Sequence, residues 1–331
     1  MTAAAASTGP LLRIERLTVT SRGLPIVADA SLTVERGEIV GLVGESGSGK
    51  STLCRSVAAL LSESLRIAGG HVWFQGQDIS QLKSSAVHRL RPRGISMVFQ
   101  DPLAALSPVM RLGDQIGEAL RARQSVSRTV ARSRAVDLLE RMGIDQPARR
   151  ARDYPHQVSG GQRQRAVLAM AIASDPLLLL ADEPTSAVDV TTQSQILALV
   201  RELATERGMG VLLVSHDYAV IAQACSTTAV MYGGRIVERG DTTTVLTRPA
   251  HPYTRLLIGA LPSIRERRPH LTVIPTDVRP PGPVGSCPFY SRCDMAEAGT
   301  CTTDYVHRLD PVAGAHATAC VRQPTLSDAD R

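Results

Sequence analysis

Lysine is almost absent from this chain: Lys50 and Lys83 are the only two, and arginine carries nearly all of the positive charge. Such a bias fits a GC-rich genome better than a function. Aromatic residues are also scarce, at 3% with a single tryptophan, and no arginine-aromatic stripe is present. A stacking platform for nucleic acid therefore has little to be built from, so the net charge of +6 reads as a solvated basic surface and no nucleic-acid partner is expected. No window approaches the roughly 18 consecutive apolar residues of a membrane span. The opening MTAAAASTGP has neither the basic start nor the apolar core of a secretion signal. A disordered leader over residues 1–10 and a cytoplasmic chain are expected.

Cysteine is sparing too, six in 331 residues, yet Cys287, Cys293, Cys301 and Cys320 fall together near the end. In a reducing compartment, clustered thiols point to metal binding or redox chemistry rather than to structural disulfides. Otherwise the composition, 43% apolar and 21% charged, is that of an ordinary globular protein long enough for two domains.

Residues 38–43, EIVGLV, form an apolar run that predicts a buried parallel strand, followed by GESGSGKS and the helix-like TLCRSVAALL. Strand, glycine loop and helix form the setting of a phosphate-binding loop. Gly44, Gly47 and Gly49 leave room for backbone N–H groups to close around phosphate oxygens, and the next helix points its positive end at them. Lys50 is expected to reach the outer phosphates and Ser51 to bind Mg²⁺. The ATP-binding run comprises Gly44, Glu45, Ser46, Gly47, Ser48, Gly49, Lys50, Ser51 and Thr52.

A second apolar run, LLLLADEP at 177–184, predicts a central strand ending in two carboxylates. Asp182 can hold Mg²⁺ through water. Glu183, where the chain turns, can polarise a water in line with the γ-phosphate. Between the two runs, VSGGQRQR at 158–165 opens a helix whose Ser159, Gly160 and Gly161 offer a second anion-binding N-terminus.

GESGSGKS, MVFQDP, VSGGQ, LLLLADEP and LLVSHD, in that order, resemble the motif set of the ATP-binding-cassette ATPases over residues 11 to about 260. The resemblance implies an α/β P-loop NTPase fold, with a RecA-like parallel-sheet core, an antiparallel β subdomain and a helical subdomain at about 101–170. It further implies a dimer that sandwiches two ATP molecules, Ser159, Gly160, Gly161 and Gln162 of each subunit serving the neighbour's nucleotide. Glu183 would be the catalytic base and His216 a γ-phosphate contact. Gln100 would sense Mg²⁺ and the attacking water while linking to the membrane partner, and Asp189 would work across the dimer interface. Mg²⁺ would lie among Ser51, Gln100 and Asp182.

Two departures stand out. Val158 replaces the usual leucine, and the aromatic that stacks on adenine is missing where Thr20, Ser21 and Arg22 fall. Adenine would then be held by arginine stacking or loosely.

MVFQDPLAALSPVMRLGDQIGEAL at 97–120, YPHQVSGGQRQR at 154–165 and HPYTRLLIGALP at 251–262 resemble the ATPase subunits of oligopeptide and dipeptide importers, within the peptide/nickel importer family. This implies two transmembrane permease subunits, an external substrate-binding protein acting through them, and a peripheral place on the cytoplasmic face of the membrane. Each motif occurs once, so the chain must pair with itself or with a second, related ATPase subunit; because peptide importers commonly use two different ATPase subunits, the resemblance implies a heterodimer. Residues 101–155 read as a lever between the two halves of the core, with the coupling contact at Gln100 to Pro108. Other readings are an importer of the same family for nickel or a glycopeptide, or a soluble cassette ATPase acting on nucleic acid or ribosomes.

The region 261–331 reads as a small cysteine-containing domain behind a proline-rich linker at 265–286. Its cysteine gaps are too wide for the tight pairs of common zinc sites, whereas four thiolates suit an iron-sulfur cluster. The CPF..RC segment resembles that of peptide-importer ATPases, some of which bind a [4Fe-4S] cluster; that implies Cys287, Cys293, Cys301 and Cys320 as ligands, with Ser286 in place of a glycine. Zinc and packed free thiols are the other readings. Cys54 and Cys225, each in an apolar stretch, read as small buried side chains.

Overall fold

A computed structural model describes residues 9–80, 82, 94–186, 188–260, 275, 276, 282, 285–303 and 305–322. The leader at 1–8, Lys83 and most of the 265–286 linker lie outside the described residues.

The chain builds β1 (Leu12–Ser21), β2 (Leu24–Val34), β3 (Ile39–Val43), α1 (Lys50–Val57), β4 (Leu65–Phe74), β5 (Gln77–Asp78) and β6 (Ile95–Val98). The helices α2 (Leu112–Arg123), α3 (Arg128–Arg141), α4 (Pro147–Arg150) and α5 (Gly160–Ala173) follow. Next come β7 (Leu178–Asp182), α6 (Val190–Arg207), β8 (Gly210–Val214), α7 (Tyr218–Ala224), β9 (Thr227–Tyr232), β10 (Arg235–Asp241), α8 (Thr242–Thr247) and α9 (Pro252–Gly259). The hairpin β11 (Asp310–Ala313) and β12 (His316–Thr318) closes the order.

Two sheets result. A small antiparallel one runs β2-β1-β4-β5, and a larger one runs β11-β12-β10-β9-β3-β8-β7-β6. In the larger sheet β9, β3, β8, β7 and β6 are mutually parallel, while β10, β12 and β11 add antiparallel at one edge. All five residues of β3, of β7 and of β8 are buried, as strands covered on both faces require.

The period-two pleat sorts their side chains cleanly. Val40, Leu42, Leu178, Leu180, Leu212 and Val214 pack with β1, β2 and α1. Ile39, Val43, Leu179, Ala181, Val211 and Leu213 pack with α2, α3, α5, α6 and α7 on the other face. The result is a sheet between layers, with α2, α3 and α5 packed on one another beside it.

Register places the chemistry. Leu42 and Asp182 both pair with Val214, so β3, β7 and β8 end side by side. The residues that follow them, Gly44, Glu183 and His216, emerge along one edge, at the carboxyl ends of parallel strands, where ligands of such sheets bind.

The C-terminal segment is stitched to the same sheet: Glu238 of β10 pairs with Thr318 of β12. Beneath this pairing the fully buried Glu238 accepts from the backbone N–H groups of Ala250 and His251 and bonds His316 Nε2 at 2.7 Å. A buried carboxylate persists where such donors surround it.

Candidate functional site

The phosphate loop leaves β3 in backbone conformations that only glycine adopts without strain. Gly49 lies at φ 104, and a Cβ there would stand 2.7 Å from the carbonyl oxygen of Ile26. Gly44 has no room either, because a Cβ would run into the carbonyl of Met231. Helix α1 starts at Lys50 without a side-chain cap, so the N–H groups of its first turn face the loop. Lys50 is buried, and its Nζ donates to the carbonyls of Gly44 and Glu45 at 2.8 Å each. Burial pulls its pKa below the ordinary ammonium value, against the pull of Glu183, Asp182 and Glu45.

Across the loop, Ser51 Oγ donates to Asp182 Oδ1 at 3.0 Å. Asp182 Oδ2 is buried and has no hydrogen-bond partner among the described residues. Burial raises the pKa of this carboxyl, and the Ser51 bond opposes the rise. An unmatched carboxylate oxygen beside a hydroxyl is the oxygen donor set a hard divalent cation takes, so these residues fit Mg²⁺.

Glu183 sits one residue beyond β7 at φ 50, a left-handed conformation that costs a non-glycine residue about 1–3 kcal/mol. Its N–H donates to Val214 O at 3.0 Å, which ties the turn to β8. The strain is kept where it re-aims a carboxylate: Oε2 accepts from Gln100 Nε2 at 2.9 Å, and Oε1 lies 3.1 Å from His216 Nδ1. Three residues expected from separate motifs are thus brought together. Gln100 bonds Glu183 and not the Ser51–Asp182 pair.

Gln164 was not among the expected residues. It is fully buried on α5 and donates from Nε2 to the Glu183 carbonyl at 3.3 Å, so the helix that begins at Ser159 touches the turn carrying Glu183. A glutamine on a helix face otherwise made of alanine, valine, leucine and isoleucine is the available signal.

At the start of α5, Ser159 caps the helix by accepting from Gln162 N, and Gln162 Oε1 accepts from Ser159 N in return. Ser159 and Gly160 are exposed, while Val158 is buried in the core. Asp189 caps α6 through Thr192, and those bonds lower its pKa. On the expected adenine side, Thr20 is buried, with no partner for its Oγ1 among the described residues, while Arg22 is exposed in a turn at φ 49.

The four clustered cysteines converge. Cys287, Cys293, Cys301 and Cys320 line one apolar cavity of about 20 Å³ with Phe289 and Met295, and all are free thiols. Burial pushes Cys287 up to about 12 and Cys293 up to about 11, and raises Cys320. The donor set is that of a four-thiolate ligand, but among the described residues no group of three or more His, Cys, Asp or Glu is placed to hold a metal ion. Cys54 and Cys225 are buried elsewhere, in α1 and after α7.

This lobe also reaches the phosphate loop. Arg292 forks onto Glu45 with Nη1 to Oε2 at 2.8 Å and Nη2 to Oε1 at 2.9 Å. Glu45 N donates to Tyr253 Oη at 2.9 Å.

Residues 27–186 match the ABC transporter family model, and residues 237–301 match the model of the oligopeptide/dipeptide transporter C-terminal region. An oligopeptide transport ATP-binding protein of Mycobacterium tuberculosis is 43% identical over 95% of this chain, which spans about half, 52%, of that relative's length. A peptide import ATP-binding protein of Brucella abortus is 40% identical over 96% of this chain and 97% of its own. Among solved structures, a dimeric ATP-binding cassette in a post-hydrolysis state with ADP and Pi superimposes at a TM-score of 0.64. It is 28% identical and covers 70% of this chain and 98% of its own. No helix among the described residues is long and apolar enough to cross a membrane.

Proposed function

Since the chain belongs to the ATP-binding-cassette ATPases of the oligopeptide/dipeptide transporter family, we propose that it hydrolyses ATP to power peptide import through partner permease subunits. The observation that carries this reading is the meeting of Gln100 and His216 on the Glu183 carboxylate, beside the Ser51–Asp182 pair.

The phosphate loop, Gly44 to Thr52, binds the ATP phosphates through backbone N–H groups, with Lys50 leaving its loop carbonyls for the outer phosphates. Ser51 and Asp182 hold Mg²⁺, which when bound neutralises phosphate charge. Glu183 takes a proton from the attacking water, Gln100 orients that carboxylate, and His216 reaches the γ-phosphate. Ser159 and Gly160, exposed at the start of α5, with the half-buried Gly161 and Gln162, serve the nucleotide of a second subunit, and Asp189 lies at that interface. Two different ATPase subunits form the pair, as the resemblance to peptide importers implies.

The assembly sits on the cytoplasmic face of the membrane with two permease subunits and, across the membrane, a substrate-binding protein. Residues 11–260 form the nucleotide-binding domain, with 101–170 as its helical part, and 261–331 the C-terminal extension. The names of the relatives favour a peptide as the cargo.

Within the extension, Cys287, Cys293, Cys301 and Cys320 are assigned as ligands of a [4Fe-4S] cluster, on the strength of their shared cavity. Once bound, such a group would cross-link the segment Cys287–Cys301 to Cys320, two residues beyond β12. Anaerobic purification with the permeases, followed by peptide-stimulated ATPase assay, iron analysis and absorption spectroscopy, tests both statements. Iron-free complex with full transport activity would sink the cluster assignment; a complex whose ATPase ignores peptide would sink the cargo.

A further inference from the structure

An acidic side chain is an unusual neighbour for a polyphosphate. Glu45 is the second residue of the phosphate loop, and its own carbonyl is a partner of Lys50 Nζ. Yet its carboxylate is fully engaged by Arg292, a residue 247 positions later in the chain. The contact has the parallel two-bond geometry in which guanidinium and carboxylate bind most strongly. Arg292 is only 17% exposed and Glu45 32%, so solvent screens the pair less than a surface ion pair.

The guanidinium is held from every side. Its Nε donates to Pro275 O at 2.6 Å and its Nη1 lies 3.3 Å from Tyr232 Oη. Its carbon lies 5.6 Å from the Tyr232 ring centre and 5.9 Å from that of the fully buried Phe289. Tyr232 ends β9, and two residues on, Gly234 N donates to Ser48 O of the phosphate loop at 3.0 Å. Glu45 is pinned at its backbone as well, by Tyr253 Oη. A rigid platform of β9, α9 and the lobe that carries Phe289 therefore presents a fixed positive charge to the one acidic residue of the loop.

We propose that Arg292 is a positioning residue for the ATP site, which holds and neutralises Glu45 so that the phosphate loop can accept the negative charge of a nucleotide. The inference rests on the ATPase reading above and adds a part of the site supplied by the C-terminal lobe. Without Arg292 an unpaired carboxylate remains among the groups meant to bind phosphate, and like charges at that range repel. The loss should fall on nucleotide affinity, since Arg292 touches neither the Glu183 cluster nor the Ser51–Asp182 pair.

The test is titration of the full-length chain with MgATP, with thermal unfolding as a control and steady-state hydrolysis as a second readout. Arg292→Ala is expected to weaken MgATP binding about tenfold or more and to raise KM with little change in kcat. Adding Glu45→Gln in the same chain should bring affinity back to within about threefold of wild type, because the repelling charge is gone. A structural prop would give no such rescue.

Wild-type affinity in Arg292→Ala overturns the proposal, and so does a loss that Glu45→Gln leaves in place. Should Arg292→Ala fail to fold, Arg292→Gln with and without Glu45→Gln is read in the same way. A wild-type chain that bound no MgATP would instead remove the ATPase reading itself.

Discussion

Gln100 and Glu183, 83 positions apart in the chain, meet through a 2.9 Å bond from the Gln100 amide to the Glu183 carboxylate. The two lie just beyond neighbouring parallel strands, β6 and β7, so the pairing of Val98 with Ala181 delivers them to the same edge. A carboxylate on a strained turn has few ways to be held in line, and this bond is one of only two at its oxygens among the described residues. Gln100→Ala is expected to lower kcat by about tenfold to a hundredfold through misplacement of Glu183, while the KM for ATP stays within about twofold. Initial rates of ATP hydrolysis by the assembled transporter check both values.

Ser159 gives a different kind of prediction because its hydroxyl is exposed and caps α5. Ser159→Ala removes one cap, worth about 1 kcal/mol of stability. Its effect on function should be larger than its effect on folding: hydrolysis in the assembled dimer falls, whereas MgATP binding to the isolated chain is unchanged. Equal losses in both assays would contradict a role at the partner's nucleotide.

Much of this site could be read from short contiguous words. The glycine loop, the apolar run ending in Asp182 and Glu183, and the serine-led start of α5 each combine a local backbone requirement with a residue type, which is why sequence carries them. What sequence does not carry is contact across distance. Nothing near Arg292 announces Glu45, and nothing near Tyr253 announces the backbone of the phosphate loop.

The strand β12 is only His316–Thr318, too short for a periodicity signal, yet it extends the main sheet because Glu238 holds His316 beneath it. Gln164 shows the same limit, since its partner is the Glu183 carbonyl, which lies in the left-handed turn just beyond β7 and also accepts from Ser186.

His251 supplies a pH test that is independent of catalysis. It is buried, and burial lowers its pKa from 6.5 to about 4, with Glu238 opposing the shift. Its Nδ1 accepts from Tyr253 N, capping α9. A depressed pKa means that the folded state prefers the neutral ring. The stability this contributes is complete above pH 6.5 and is lost as pH falls from 6.5 towards about 4. On the order of 2–3 kcal/mol should go in that window. His251→Asn keeps a capping side chain but cannot titrate, so its unfolding free energy should fall less over the same range. Denaturant titrations of both proteins at a series of pH values measure the difference.

Glu183 is proposed to accept the proton of the water that attacks ATP, and Glu183→Gln removes that capacity with the least other change. The amide keeps the shape of the side chain and a partner for His216 but cannot serve as a base. In a transporter assembled with its permeases, ATP turnover is expected at least about a hundredfold below wild type, with MgATP binding preserved or tightened. An unchanged rate of ATP hydrolysis in that complex would contradict it.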